Sequence, residues 1–452
     1  MSELFVQPQS CDLILENCSY VLLPDMSIAE GMSIAVRGQH IIALDQAAEI
    51  KKNYTAKTIL NGNGKLVMPG LIDAHTHMAH QLLRSAVVDE LPVIWSRIVV
   101  PFETRLTYED IYHSARLGCL QMIKAGMTGY CDLGIMDSSG IARASIESGM
   151  RAVIARRSSD AGEDTIPKSF IDPADVVVKK TEALYKEFHG AGDGRISITF
   201  SLTSIPNSSP ALVEMIGAAA CQYNTIIPTH LGEDDIEILY CLKNFGVRPV
   251  EFLKKFGALG PNLSAGHAVK MADRDIKLLA ESGAKVVHTP WVDLIKMGFA
   301  KTPNLLSNGI PVGLGTDSAK WTDLDLFSMM RLLKSTVMAA QGIPAMDPLV
   351  MPVTELLKMP TIGSAKALQL DHEVGTLEVG KKADITLLNW HEPQFYPTQK
   401  ILPLLALTAC ARDVNDVVID GQWVLKDRVH QLMDEEEVMA QAATQLKSIM
   451  AR

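Results

Sequence analysis

The chain has 452 residues, 47% hydrophobic and 21% charged, which is ordinary globular material and more than one small domain needs. Its formal net charge of -10 argues against nucleic acid or an anionic membrane as the main partner, because both attract basic surfaces. Its seven cysteines show no C-x-x-C spacing, so neither a disulfide framework nor a cysteine zinc site is expected, and reduced thiols in the cytoplasm fit best.

In chain order, the first eight residues lack the basic start and apolar core of a signal peptide. No apolar run approaches the roughly 18 residues that a membrane helix needs. Residues 12–17, 32–44 and 58–64 read as short β-strands broken by Gly and Asn turns. From Leu66 the pattern changes, and short apolar runs alternate with longer segments of helical spacing up to about residue 370. The predicted strands are 71–77, 127–134, 151–157, 196–202, 225–232, 262–268, 284–290 and 311–317. Segments such as 108–125, 210–223, 248–256 and 274–282 are the helices between them. Eight strands alternating with helices predict an α/β fold, a (β/α)8 TIM barrel. Residues 375–388 and 414–425 then return to short strands. The expected organisation is a small β-sandwich shared by residues 1–68 and 371–430, a barrel over 69–370, and a C-terminal helix over 431–452.

Barrel enzymes carry their chemistry at the C-terminal ends of the strands. The first strand ends in His75-Thr-His77. Strand side chains alternate faces, so both imidazoles point the same way and can share a metal ion. Alone the motif is weak. Later strand ends add His230 with Glu233, then His267, His288 and Asp317, so five of the twelve histidines fall at predicted strand ends. A single histidine on an apolar strand is more often a hydrogen-bonded core residue. Five at one rim, with an Asp and a Glu, form the pattern of a metal site.

The segments Pro69-Gly-Leu-Ile-Asp-Ala-His-Thr-His77, Leu82-Leu-Arg84, His230-Leu-Gly-Glu233, Gly266-His267, His288-Thr-Pro290 and Gly315-Thr-Asp317, with the tail 375–384, resemble the amidohydrolase superfamily. The likeness is to its mononuclear aminohydrolases, which include methylthioadenosine/S-adenosylhomocysteine deaminases, cytosine and guanine deaminases, and the triazine hydrolases. The resemblance implies that His75, His77, His230 and Asp317 hold one divalent metal, zinc or else iron. It implies that Glu233 and His267 handle protons and that Asp317 takes one from the water the metal activates. The implied activity is hydrolytic deamination of an amino-substituted N-heterocycle of purine, pyrimidine, pterin or s-triazine type. The alternatives are loss of chloride or an alkylamine from a triazine-like ring, cleavage of an amide or urea C–N bond, and a non-catalytic binding relative. A small heterocycle is the expected partner, and a homo-oligomer, dimer or tetramer, the expected assembly.

Relatives that cleave cyclic amides with two metals carry a lysine at the end of strand 4. This chain reads Ile196-Ser-Ile-Thr-Phe-Ser-Leu-Thr203 there, which favours one metal and attack on an aromatic ring carbon. Glu103 and Arg156 match substrate contacts of the adenosine-type deaminases, and His80 is a further candidate. Thr203 stands where those enzymes have a histidine. The loops after strands 7 and 8 depart from their pattern and bring in Trp291 and Trp321, which either pack the loops or form a flat wall for a heterocycle. Trp95 either lines the pocket or belongs to the core. His288 either supports Asp317 or is structural. Segments 188–197 and 371–378 look closer to the triazine hydrolases.

Overall fold

The computed structural model describes residues 7–91, 93–162 and 166–452. Residues 1–6, which hold most of the stretch read above for a signal peptide and the start of the expected β-sandwich region 1–68, lie outside the described residues. Among the described residues no helix is long and apolar enough to cross a membrane.

Every predicted strand of the central region forms. They are β1 (Leu71–Thr76), β2 (Met127–Asp132), β3 (Arg151–Ala155), β4 (Ile196–Thr199), β5 (Ile227–Leu231), β6 (Leu263–His267), β7 (Lys285–His288) and β8 (Val312–Leu314). The strands β1 to β4 pair in order as one parallel sheet, and β5 to β8 as another. Single parallel bridges, Leu202 to Thr229 and Thr76 to Asp317, join the neighbouring edges of the two sheets. Every residue of β1, β2 and β3 is buried, the pattern of a parallel sheet covered on both faces. The strands stop short of the predicted ends, and at the ends of β6 and β8 the backbone turns into the left-handed region. Asp317 has φ 65°, His267 φ 68° and Ala268 φ 51°.

The intervening helices follow local signals. Helix Tyr108–Lys124 opens on a capping box made by Thr107 and Asp110. Helix Pro210–Tyr223 opens on Ser209, whose hydroxyl accepts from the Leu212 N–H. The final helix Glu435–Ala451 is capped by Asp434 and is tied to the end of Tyr108–Lys124 by Lys124 and Glu435, 2.6 Å apart.

The remaining strands come from both ends of the chain. Strand Gln9–Cys18 lies between Met32–Arg37 and Tyr54–Asn61 in a four-stranded sheet. Strand Lys65–Pro69 pairs antiparallel with Ile385–Asn389 in a seven-stranded sheet that also holds Val414–Ile419. Leu13, Leu15, Ile34, Val67, Ile385 and Leu387 pack in one apolar cluster shared by these sheets. Two local readings change. Residues Ala47–Asn53 form a short helix inside the region read as β-structure. Of the predicted strand 375–388, only Ile385–Asn389 is extended in a sheet.

One buried ion network ties the start of β3 to the C-terminal sheet. The Arg151 guanidinium donates to Asp384 at 2.9 Å and to Asp420 at 2.5 Å, and all three side chains are buried. Removing the cation would leave two carboxylates buried without their partner. Arg151→Met should therefore cost about 3–5 kcal/mol of unfolding free energy, measured by urea denaturation of the intact chain.

Candidate active site

The site is built where β1 meets β8. Asp73, fully buried on β1, accepts from the Thr316 hydroxyl at 2.5 Å, the Thr316 N–H at 3.1 Å and the His75 N–H at 3.2 Å. Burial pushes the Asp73 carboxyl up to about 7. The Asp317 N–H in turn donates to the His75 carbonyl at 3.0 Å. Two glycines make room for the ring. A Cβ at Gly266 would lie 2.4 Å from the His75 imidazole, and one at Gly315 would lie 2.6 Å from the His75 carbonyl oxygen.

Ligand atoms of His75, His230, His267 and Asp317 all lie within 4.8 Å of one another. His77 faces the same point, its Nε2 3.3 Å from His230 Nε2 and 3.6 Å from Asp317 Oδ1. His230 Nδ1 is 2.6 Å from the Thr203 carbonyl, which can only accept, so the proton sits on Nδ1 and Nε2 carries a lone pair. Burial, with neighbouring cationic groups, holds His75 and His77 well below the ordinary imidazole range, and burial takes His230 down to about 4. The Nε2 of His75 is buried with no hydrogen-bond partner. Neutral imidazoles with free Nε2 lone pairs facing a carboxylate oxygen are the donor set that a divalent cation takes.

The acids are held from outside. Asp317 Oδ1 faces the imidazoles, while Oδ2 accepts from Lys320 Nζ at 2.8 Å and Trp321 Nε1 at 3.1 Å. Against the pull of burial, the Lys320 ammonium and the imidazoles hold the Asp317 carboxyl well below its usual range. Glu233 Oε1 pairs with Lys296 at 2.7 Å, and that ammonium outweighs burial and keeps the carboxyl ionised. His267 Nδ1 bonds Asp293 at 2.8 Å and Thr289 Oγ1 at 2.9 Å. Burial disfavours its cation, but Glu233 and Asp293 raise it to about 9.

On the other side of His77, the His80 ring stacks at a centroid distance of 5.0 Å. His80 Nε2 bonds Glu103 at 2.7 Å, and the second Glu103 oxygen takes the guanidinium of Arg157. Arg157 lies over the Phe170 ring, and its Nε and Nη1 are buried without partners. Arg156 turns elsewhere, to Asp172 at 3.1 Å, so the arginine beside Glu103 is its neighbour. Trp321 is buried against Asp317. Trp291 has a buried, unpartnered Nε1. Trp95 packs in the apolar clusters beside Val99, Val100 and Phe170. His288 donates from Nδ1 to the His267 carbonyl at 2.8 Å and, among the described residues, makes no hydrogen bond or ion pair with Asp317, so its support goes to the neighbouring strand.

The sequence profile of the amidohydrolase family matches residues 66–424. The chain belongs to the amidohydrolase family. A 5-methylthioadenosine/S-adenosylhomocysteine deaminase of Syntrophobacter fumaroxidans is 33% identical over 433 residues, covering 95% of this chain and 96% of that protein. A 5'-deoxyadenosine deaminase of Methanothermobacter thermautotrophicus is 32% identical over 89% of this chain and 92% of its own. The crystal structure of an adenosine deaminase from Xanthomonas campestris with bound zinc superposes with a TM-score of 0.91 at 26% identity, covering 98% of this chain and all of that one. An atrazine chlorohydrolase from Arthrobacter aurescens shares the fold, with a TM-score of 0.85 at 23% identity over 96% of this chain and all of that one. The triazine-like look of segments 188–197 and 371–378 is thus not matched by overall identity, which is higher to the deaminases.

For this amidohydrolase the residues that sequence reading missed are Asp73, Arg157, Asp293, Lys296 and Lys320. Each acts by holding a candidate already named. Gly266 offers a direct test of the cluster, because Gly266→Ala would drive a methyl group into the His75 ring. The variant should keep its far-ultraviolet circular dichroism and lose most of its bound divalent metal by elemental analysis.

Proposed function

We propose that this chain is a metal-dependent hydrolytic deaminase of an aminopurine, with His75, His77, His230 and Asp317 holding a single divalent ion, zinc before iron. The observation that carries this is the convergence of His75 Nε2, which is buried without a partner, His230 Nε2, which carries a lone pair, and His77 Nε2 on Asp317 Oδ1, with Glu233 held beside them. A bound divalent ion supplies Lewis acidity and lowers the pKa of water. The remaining steps belong to the protein. Glu233, an ionised carboxylate fixed through Oε1, has Oε2 left to take one of the water's two protons and pass it to a ring nitrogen, making the adjacent carbon electrophilic, while the other proton goes by way of Asp317 to the leaving ammonia. His267, anchored by Asp293, presents Nε2 toward the same point and orients the attacking oxygen. Asp317 is both ligand and acceptor of the water's other proton. Ammonia leaves with that proton.

Glu103, His80 and Arg157 form the polar wall for the rest of the substrate. The two unpartnered guanidinium nitrogens of Arg157 call for acceptors, which a purine or its substituents can supply. Trp291, with its free indole N–H, is the aromatic surface we assign to the ring, and Trp95 is assigned to packing. An aminopurine is preferred to a triazine because the relatives above 30% identity described here carry deaminase names of the adenosine type. Loss of chloride or an alkylamine, and amide or urea cleavage, have no such support.

The two parallel sheets, with their bridges at Thr76–Asp317 and Leu202–Thr229, are read as halves of one closed (β/α)8 barrel. We divide the chain into a β-sandwich over 1–68 and 371–430, a barrel over 69–370 and a terminal helix over 431–452. All seven cysteines are free thiols, which supports a reducing, cytoplasmic setting. A dimer or tetramer is proposed with it, and the exposed Ile236, Leu239 and Leu242 along helix Asp235–Phe245 favour it.

Adenosine, 5'-methylthioadenosine, S-adenosylhomocysteine and 5'-deoxyadenosine are the compounds to test for ammonia release. Glu233→Gln should keep its metal while kcat falls on the order of 10²–10⁴-fold. Loss of metal in that variant would make Glu233 a ligand, and no ammonia from any of these compounds with the metal-loaded parent would sink the assignment.

A further inference from the structure

We propose that the π-helical turn Asp293–Met297 is the positioning element for the proton-handling pair, with Lys296 setting Glu233 and Asp293 setting His267. The inference rests on the roles given above to Glu233 and His267. It goes beyond them by assigning the control of both to one short segment that follows β7.

The contacts divide the turn into two faces. On the inner face, Lys296 Nζ meets Glu233 Oε1 at 2.7 Å, and Asp293 Oδ1 meets His267 Nδ1 at 2.8 Å. Glu233 and His267 sit on β5 and β6 and their exits, so one turn reaches two neighbouring strand ends. On the outer face, Ile295 is exposed, and so is Phe299 just beyond the turn. Asp293 also fixes its own turn. Its Oδ2 accepts from the Thr289 N–H at 3.0 Å, its Oδ1 from the Thr289 hydroxyl at 3.0 Å, and its carbonyl from the Gly298 N–H at 2.8 Å.

The two residues are anchored unequally without the turn. The backbone around Glu233 is held by Glu237, which accepts from the Gly232 N–H at 2.5 Å and the Glu233 N–H at 3.3 Å. Nothing in that arrangement fixes the Glu233 side chain. Among the described residues, Lys296 is the cation within ion-pair distance of it. Behind the turn, toward helix Leu326–Val337, only a small crevice of about 20 Å³ remains, lined by Leu294, Phe299, Leu333 and Val337. Met297, the last residue of the turn, is buried in an apolar cluster with Val292 and Trp321, so packing seats the turn while its inner bonds aim it at Glu233 and His267.

A partly exposed ion pair adds little to global stability. Its use here is geometric: a proton donor displaced by about 1 Å loses on the order of 10² in rate. Lys296 makes no hydrogen bond to His75, His77, His230 or Asp317 among the described residues, so cutting it leaves the metal cluster's own contacts in place.

The experiment compares Lys296→Met and Lys296→Arg with the parent, all metal-loaded, using adenosine and 5'-methylthioadenosine. Lys296→Met should keep its melting temperature and metal content, keep KM within about twofold, and lose on the order of 10² in kcat. Lys296→Arg should restore most of that loss. Hydrogen exchange gives a second readout that needs no turnover: amides 294–298 should exchange faster in Lys296→Met, with those of 75–77 unchanged. A parental kcat in Lys296→Met, a rise in KM alone, loss of metal, or unchanged exchange in the turn would each overturn the proposal. An inactive parent would instead count against the deaminase reading, leaving the exchange result to decide the role of the turn.

Discussion

His77 Nε2 and His230 Nε2 face each other across 3.3 Å, and the proton of His230 is committed to a backbone carbonyl on its other nitrogen. Nearby, His75 Nε2 is buried without a partner, and Asp317 Oδ1 lies 3.9 Å from it. Lone pairs and a carboxylate oxygen crowded together in a buried site repel unless a positive charge is shared among them. The surrounding structure serves that requirement. Asp73 locks β1 to the segment after β8, and Gly266 and Gly315 clear the space into which His75 turns.

Four of the carboxylates around the cluster are paired, each with its own cation. Asp317 has Lys320, Glu233 has Lys296, Glu103 has Arg157, and Asp293 has His267. Burying such pairs is costly, and apolar residues of the same size would serve stability as well or better. Their value here is directional. Each partner occupies one side and leaves a defined atom free of it: Oδ1 of Asp317, which faces the imidazoles, Oε2 of Glu233 and Nε2 of His267. A site that must aim several atoms at one point gains from such restraint even where the fold does not.

The strands were legible in the sequence because a parallel sheet covered on both faces is a string of apolar runs, and the ligands because they stand where those runs end. The cations were not legible. Lys296 and Lys320 lie in loops, and nothing in a loop sequence tells a solvated lysine from one folded back onto an acid. Arg156 is the arginine that the resemblance to the adenosine-type deaminases points to, whereas Arg157 is the one that reaches Glu103. The last residue of β3 is Ala155, and past it the alternation of faces that sequence reading relies on no longer holds. The predicted ends of β6 and β8 run past the strands because the backbone at Ala268 and Asp317 has left the β-region. The helix Ala47–Asn53 sits within a stretch otherwise built of strands, and its seven residues are too few for helical periodicity to stand out.

The account rests on one metal ion per chain being both present and necessary. The direct measurement is stepwise addition of zinc to metal-stripped protein, with bound metal and ammonia release from an aminopurine followed in the same samples. The account predicts that both rise together, level off at one equivalent per chain, and fail to rise when His230 is replaced by alanine. Activity that survives complete metal removal, or that requires a second equivalent, would contradict it.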